Sequence, residues 1–293
     1  MKKIIYLLIL SLLVGFNGYA QDEEKTEATQ EEKKVDKPVR TPWNSGLIMG
    51  GQTSIVPAKG SIRFDLIHLF GPLDNGIADF LGIYADGANI RMGLNYTIIK
   101  NLQVGVGLTK NNITTDLNVK YTVFEQTRKN AMPVSVTLYG NMAIRGGTRE
   151  SYGIEYTNAD RLSYFSQIIV GRKFSKFVTV QAAGSFAHIN NLPNGINHDA
   201  VGVSASAKFR VSSTISIITN NDIPLKLQNI SEYTTFEAVK PTIQLGVEII
   251  TTTHAFHIYG GSTNYILPQN VLILNQNELD TKGIRFGFIL TRL

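Results

Sequence analysis

The 293-residue sequence contains no cysteine. This absence excludes disulfide bonds, thiol catalysis and the lipidated cysteine that anchors a lipoprotein. Long apolar runs are scarce as well, because the main one extends only from Ile4 to Phe16. At about 13 residues it falls short of the roughly 20 that a transmembrane helix needs. Beyond residue 42 no stretch shows sustained helical spacing of apolar residues, which argues against a helical fold.

The apolar run near the N-terminus has the features of a secretory leader. Lys2 and Lys3 precede it, and Gly18 and Ala20 place small residues where a signal peptidase reads the chain. A basic start, a short apolar segment and a small-residue cleavage site together define a signal peptide. We therefore predict a signal peptide over residues 1–20, cleaved before Gln21.

Positive charge is modest once this leader is removed. The formal net charge of +5 falls by two, to +3, with the loss of Lys2 and Lys3. Basic clusters with interleaved aromatic residues are absent from the sequence, so nucleic acid is not an expected partner. Residues 21–41 hold seven acidic and five basic residues and few apolar ones. Such a segment buries too little surface to offset its ordering entropy, which predicts a disordered periplasmic linker.

After the linker, apolar and polar side chains alternate with a period of two. In one segment Ile90, Met92 and Leu94 alternate with Arg91 and Gly93. Antiparallel strands with one apolar and one polar face produce this pattern. Short connections alternate along the chain with longer, more polar ones. This alternation is typical of a transmembrane barrel with tight periplasmic turns and longer outer loops.

Twelve such strands fit into residues 61–293, with fourteen as the alternative if one hairpin has been merged. Single-chain bacterial barrels close with an even number of strands and have both termini in the periplasm. We therefore assign the additional extended stretch Gly46–Val56 to a position outside the wall. Residues 42–60 then form an N-terminal arm, either a luminal plug, a periplasmic hairpin or a frayed lead-in. The predicted fold is an all-β, antiparallel, up-and-down transmembrane β-barrel.

Three features favour a membrane barrel over a soluble sandwich. The strands approach the roughly 9 to 11 residues of a tilted membrane strand, their apolar face is nearly free of charge, and aromatic residues gather beside the short turns. We predict that these aromatic residues form a girdle at the inner membrane interface: Tyr96, Phe124, Phe174, Phe177 and Phe209. The expected location is the outer membrane of a Gram-negative bacterium. The expected partners are outer-membrane lipid and, during insertion, the barrel-assembly machinery.

The stretch that begins SIRFDLIHLFGPLDNG at Ser61, with the later MPVSVTLYG and HAFHIYGGSTN, resembles an uncharacterised family of Gram-negative outer-membrane β-barrels. The resemblance covers most of residues 46–293, and the family is known as a domain of unknown function. Its pattern has a His, a basic residue, an aromatic and a Gly after the first wall strand. Here His68, Phe70 and Gly71 match, whereas Leu69 replaces the basic residue. The resemblance implies fold and location but no catalytic or binding residue.

Motifs for catalysis or metal binding are missing from the sequence. His254 and His257 are three apart in a strand, so their side chains point to opposite faces and cannot share a metal ion. A nucleophile elbow, a zinc-binding HExxH helix and a phosphate-binding loop are also absent. We therefore expect no enzymatic activity, no cofactor and no metal site.

The polar face of the strands supplies the candidate functional residues. If the apolar face contacts lipid, the inward set contains seven basic and three acidic side chains. The lumen-lining candidates are Arg63, Asp65, Arg91, Asn95, Gln103, Asp116, Lys120, Arg145, Lys208, Arg210, Glu248 and Arg285. A basic lining predicts a passive or gated channel or transporter for small polar or anionic solutes. The alternative is a non-transporting structural or partner-docking barrel, with Arg paired to Asp or Glu inside. The pattern assigns no substrate and no oligomeric state.

A folded barrel keeps every backbone hydrogen bond within its own wall, so it resists detergent until it is heated. We expect the purified protein to migrate at different positions on an SDS gel before and after boiling. Identical migration of the two samples would contradict the membrane-barrel prediction.

Overall fold

The structure is a computed structural model that describes residues 36–193, 195–227 and 239–292. The predicted signal peptide and residues 21–35 of the predicted linker lie outside the described residues. A small hairpin comes first, with strands β1 (Leu47–Ile48) and β2 (Gly51–Gln52). The following wall strands are β3 (Ile62–Pro72), β4 (Asn89–Ile99), β5 (Leu102–Thr109), β6 (Thr114–Phe124), β7 (Ser135–Ile144), β8 (Leu162–Lys173), β9 (Val178–Ile189), β10 (Asp199–Arg210), β11 (Ile215–Leu225), β12 (Thr242–Ile250), β13 (His254–Gly261) and β14 (Arg285–Arg292).

The wall is a closed antiparallel barrel of twelve strands. Each strand from β3 to β14 pairs with its neighbour in sequence, and β14 pairs back onto β3. The predicted all-β, up-and-down barrel and its count of twelve strands are confirmed. The stretch Gly46–Val56 forms no part of this wall, because β1 and β2 make a separate two-stranded sheet.

Side chains alternate across the wall with the apolar set outside. In β4, Leu94 is 51% exposed whereas its neighbour Asn95 is 3% exposed. A soluble protein shows the opposite arrangement, because there the apolar side chains form the core. The buried polar set includes Arg63, Asp65 and Asp116, so these charged residues lie on the inner face.

The two ends of the barrel differ in the length of their connections. The end with the β4–β5, β6–β7, β8–β9, β10–β11 and β12–β13 connections is called the short-turn end. At the tightest of these, Asn101 adopts a positive φ of 67°, a conformation that Asn tolerates in turns. The opposite, long-loop end carries short 3-10 helices at Gly76–Asp79, Asn111–Ile113, Arg149–Tyr152 and Asn158–Arg161.

The β13–β14 connection contains a helix that the alternating pattern does not predict. Helix α1 (Pro268–Leu274) begins with a proline in its first turn, and Gln269, Leu272 and Ile273 are buried. Seven residues make only about two turns, which is too short for a recognisable helical stripe. Within residues 36–193, 195–227 and 239–292, no helix has the length and apolar composition to cross a bilayer.

Residues 36–41, at the end of the predicted linker, lie along the β6–β7 connection. Pro38 forms a β-bridge with Thr127, and the Asp36 carboxylate accepts hydrogen bonds from the backbone N–H groups of Lys129 at 2.9 Å and Ala131 at 3.3 Å. Desolvation alone would raise the pKa of Asp36, but these hydrogen bonds, with one from Thr127, lower it below its usual value. The chain is therefore attached to the short-turn end before it enters the barrel.

Candidate functional site

The inner wall carries a first charged cluster centred on Asp65. Its carboxylate accepts hydrogen bonds from Arg63 Nε at 2.9 Å, Asn95 Nδ2 at 2.8 Å and the Thr291 hydroxyl at 2.9 Å. Arg63 and Asp65 are both almost fully buried. A buried carboxylate with three donors, one of them a guanidinium, is well compensated, so this cluster offers no free charge to a solute.

A second charged cluster lies between β4, β6 and β7. Arg91 donates two parallel hydrogen bonds to the Asp116 carboxylate, from Nε to Oδ1 at 2.8 Å and from Nη2 to Oδ2 at 2.7 Å. Asn141 Nδ2 donates to the same carboxylate at 3.0 Å. Bidentate Arg–carboxylate pairs combine strength with a defined geometry. The two predicted lumen residues therefore neutralise each other.

Inward glycines provide the space for these clusters. A Cβ atom added at Gly107 would collide with the guanidinium of Arg91 and the carboxylate of Asp116. A Cβ atom at Gly105 would collide with the side-chain oxygen of Asn95. Glycine within a strand commonly marks such a close approach. These glycines accommodate the polar clusters and do not widen a passage.

Residues 42–57 of the N-terminal arm lie inside the barrel and are held from opposite walls. Lys120 Nζ on β6 donates to the carbonyl oxygens of Gly46 at 2.8 Å and Ile55 at 3.3 Å. On the other side Asn44 Nδ2 donates to Glu248 on β12 at 2.6 Å. Strands β6 and β12 are six positions apart in the twelve-stranded barrel, so these contacts span its diameter.

Further contacts hold the second half of the arm. Gln181 accepts from the backbone N–H of Ser54 at 3.1 Å and donates to the carbonyl of Gln52 at 2.7 Å. The Thr137 hydroxyl donates to the carbonyl of Ser54 at 3.0 Å. These bonds are made by wall side chains, and within the described residues β1 and β2 pair with no wall strand. The arm is therefore bound to the wall without belonging to its backbone ladder.

An apolar cluster fills the middle of the lumen. The arm contributes its buried apolar side chains, and inward residues of the wall and the β13–β14 connection complete the cluster. Its members are Trp43, Leu47, Ile48, Met49, Ile67, Leu69, Ile218, Tyr259, Ile266 and Ile289. Leu69, which lies in the stretch that carries the family resemblance, packs within this cluster. The centre of the barrel thus resembles the core of a soluble protein.

Helix α1 occupies the lumen from the long-loop end. Leu272 and Ile273 pack with Tyr139 and Phe165 on the inner wall. Gln269 Nε2 donates to Asn141 at 3.1 Å and to Ser163 at 3.2 Å. The β13–β14 connection is therefore folded inward and not extended away from the barrel.

A small cavity remains between the arm and helix α1. It is lined by Met49 and Gly51 of the arm, Leu272 of the helix, and Gln167 and Gln244 of the wall, and measures about 40 Å³. One water needs roughly 10 to 15 Å³ by this measure. The cavity has room for a few waters, so the arm and α1 together close this part of the lumen.

Three predicted lumen residues lie at strand ends and not in the lumen. Arg210 is exposed and donates to the carbonyl oxygens of Ser212 and Ser213 in the β10–β11 turn. Arg145 follows β7, and its guanidinium lies 5.0 Å from the centre of the Tyr152 ring. Arg285 begins β14 and donates to the carbonyl of Ile284. Strand ends and turns leave carbonyl groups and aromatic faces free, which draws these guanidinium groups out of the lumen.

The other predicted lumen residues lie on the inner face. Gln103, Lys120, Lys208 and Glu248 are buried there. Sequence reasoning did not assign a role to His257, which is 1% exposed and approaches Glu248 at 3.3 Å. The alternation of side chains along β13 predicts that His257 points inward, so the sequence does contain a signal for this residue.

The five predicted girdle residues are all exposed and lie beside the connections of the short-turn end. They are Tyr96, Phe124, Phe174, Phe177 and Phe209. Their position at a lipid interface stays a prediction. Among the described residues, no group of three His, Cys, Asp or Glu side chains is arranged to hold a metal ion.

The closed wall, its apolar exterior and its polar, occupied interior define a transmembrane β-barrel. The chain belongs to the family described as membrane-bound β-barrel domain (DUF5777), whose model matches residues 43–293. This confirms the resemblance seen in the sequence. No curated protein matches the chain significantly.

Several solved structures of outer-membrane proteins are similar to this chain at low sequence identity. An outer membrane channel from Pseudomonas putida F1 is 9% identical with a TM-score of 0.48, covering 81% of this chain and 96% of the channel. The NanC porin is 7% identical with a TM-score of 0.47, covering 80% and 99%. Outer membrane phospholipase A from Escherichia coli, an active-site mutant, is 10% identical with a TM-score of 0.43, covering 84% and 95%. At these values the likeness carries no functional argument.

We expect Gly107→Ala to destabilise the barrel, because the added methyl group would displace the Arg91–Asp116 pair. Overpacking of this kind costs about 1–3 kcal/mol. The measurement is the temperature at which the folded band disappears from unheated gel samples. Gly184→Ala is the matched control, since a Cβ atom there would meet no other atom within 4 Å. Equal loss of stability in both variants would contradict the close packing at Gly107.

Trp43 is the only tryptophan of the chain and is 3% exposed, so its fluorescence reports the position of the arm. Lys120→Met removes the donor to Gly46 and Ile55, and an unsatisfied buried polar group costs about 1–3 kcal/mol. We expect red-shifted Trp43 emission and stronger acrylamide quenching.

The matched control for this variant is Lys100→Met, because the Lys100 side chain is 78% exposed in the β4–β5 turn. It should leave both emission and quenching unchanged. Quenching of Lys120→Met at the wild-type level would show that the Lys120 contacts do not hold the arm.

Proposed function

We propose that this barrel is an outer-membrane channel, closed by its own N-terminal arm, for small polar and preferentially anionic solutes. One observation carries the proposal: the arm fills the lumen but shares no strand pairing with the wall among the described residues. Removal of the arm would break side-chain hydrogen bonds and apolar contacts, while every wall strand kept both of its neighbours. Such an arrangement suits a gate better than a permanently filled core.

The proposed location and orientation follow from the wall. Closed barrels with an even number of strands are the form that single-chain proteins take in bacterial outer membranes. The predicted signal peptide supports export to that compartment. In those barrels short turns face the periplasm and long loops face outward. The arm would therefore enter from the periplasm, and helix α1 would lie on the external side.

The charge of the inner wall supports the preference for anions. Arg63 is paired with Asp65, and Arg91 with Asp116. Lys120 donates only to carbonyl groups of the arm, so its charge would face the lumen when the arm leaves. Lys208 adds a second ammonium group, and Glu248 offsets one of the two. The remaining excess is positive, which favours anionic solutes in a narrow passage.

A disulfide lock tests whether the arm is the gate. A Cβ atom at position 171 would lie 2.9 Å from that of Ser54, and disulfide-bonded Cβ atoms are about 3.5–4.5 Å apart. A small shift therefore allows a disulfide in Ser54→Cys/Gly171→Cys. The chain has no other cysteine. We expect planar-bilayer conductance to be absent when this variant is oxidised and to appear on reduction, with an anion-selective reversal potential in a KCl gradient.

The two single-cysteine variants are the controls, and neither should respond to reductant. Conductance that is equal in the oxidised and reduced double variant would show that the arm is not the gate. Absence of conductance in the wild type, the reduced double variant and Lys120→Met would reject the channel altogether. Conductance without anion selectivity would reject only the charge argument.

The second candidate is a structural or docking barrel that transports nothing. One feature favours it: the β3–β4 connection at the long-loop end exposes Ile77, Phe80, Leu81, Ile83 and Tyr84. Exposed apolar patches of this kind mark interaction surfaces. Complete silence in the bilayer experiment, with a properly folded barrel on the gel, would favour this candidate over the channel.

A further inference from the structure

A basic pocket opens at the short-turn end, where the arm enters the barrel. Its volume is about 300 Å³. The charged side chains that line it are all basic: Arg40, Lys173, Lys176, Lys208 and Arg210. The described residues of the lining include no carboxylate. Five basic side chains that line one concave surface create a potential that attracts anions.

Lys208 is the deepest of these groups and is 6% exposed. Its ammonium lies 5.7 Å from the centre of the Trp43 ring. Among the described residues it makes no hydrogen bond and no ion pair within 4.0 Å. Glu248 attracts this ammonium from a longer distance, and its carboxylate is hydrogen-bonded by Asn44 at 2.6 Å and His257 at 3.3 Å. An ammonium group has three donors, and a buried charge is costly unless it is paired and hydrogen-bonded. The Lys208 ammonium therefore keeps its hydrogen-bond donors available for an anion in the pocket.

Two other basic residues are held in place around this ammonium. Lys173 Nζ donates to the carbonyl oxygens of Arg40 at 2.7 Å and Thr41 at 3.3 Å, which fixes the chain just before the arm begins. Arg210 is fixed by the turn carbonyls of Ser212 and Ser213. Because these contacts already order the groups, little conformational entropy is lost when a ligand binds.

We propose that this pocket binds a small oxyanion of two or more charges, a phosphate or a polycarboxylate, with Lys208 as the buried anchor. The multiple charge is required because several cations line the pocket, and one carboxylate would leave most of them uncompensated. The inference deepens the proposed function and rests on it for the route of the bound anion into the lumen. Binding itself needs no open passage, since the pocket faces the short-turn end.

Titration calorimetry with citrate and with inorganic phosphate, on the full chain in uncharged detergent, tests the site. We expect Lys208→Gln to weaken binding of the tighter anion at least tenfold. Lys59→Gln is the matched control, because Lys59 is exposed at the same end, outside the pocket, and the change in charge is identical. It should leave the affinity within about twofold of the wild type.

Arg40→Gln is a second variant that does not depend on a buried position. Arg40 is exposed, so this change should leave the folded gel band intact while it weakens binding several-fold. Absence of binding to the wild type at millimolar anion would overturn the site. An equal loss in Lys59→Gln and Lys208→Gln would also overturn it, because the attraction would then be diffuse.

The two proposals fail separately. Anion binding that depends on Lys208, in a barrel that is silent in bilayers, would keep the site and reject the channel. Anion-selective conductance with no binding, or with binding that Lys208→Gln leaves unchanged, would keep the channel and reject the site.

Discussion

Closure of the backbone hydrogen-bond ladder is the constraint on which the rest of this structure depends. A bilayer core holds no water that could satisfy an unpaired N–H or C=O group, so each wall strand must have two neighbours. The pairing of β14 with β3 meets this condition for the whole wall. Once the wall is closed, alternation sends apolar side chains to the lipid and polar ones to the lumen. A circumference of twelve strands is wider than the wall side chains alone can fill.

Two kinds of structure fill the lumen. Some belong to the wall: the Asp65 cluster and the Arg91–Asp116 pair, which occupy space above inward glycines and neutralise their own charges. The others are the arm and helix α1, which come from either end and meet around a cavity for a few waters. Only the two side-chain clusters belong to residues of the hydrogen-bonded wall strands, whereas among the described residues the arm and helix α1 do not pair with those strands. This difference explains why a barrel with a packed centre is compatible with a gated passage.

Much of the wall could be predicted from sequence, and little of its contents. Leu94 and Asn95 illustrate the predictable wall, because the alternation of side chains with a period of two is a local property of any strand. Lys120 and Glu248 illustrate the contents of the lumen. Alternation predicts that both side chains point inward, but the neighbouring sequence does not indicate that they hold the same arm from opposite sides. Helix α1 was missed because its two turns carry no periodic stripe. Alternation also cannot show that Arg210, at the end of β10, is held by the carbonyl groups of the neighbouring turn.

By itself, the sequence determined a cysteine-free chain of amphipathic strands, because composition and side-chain period are properties of the chain alone. Its family resemblance also pointed to a membrane barrel, which the match over residues 43–293 bears out. Only the tertiary structure decided what the lumen contains and which charges stay unpaired. Those outcomes depend on strand register and on the three-dimensional course of the arm, which bring together Trp43 and Lys208, residues far apart in sequence.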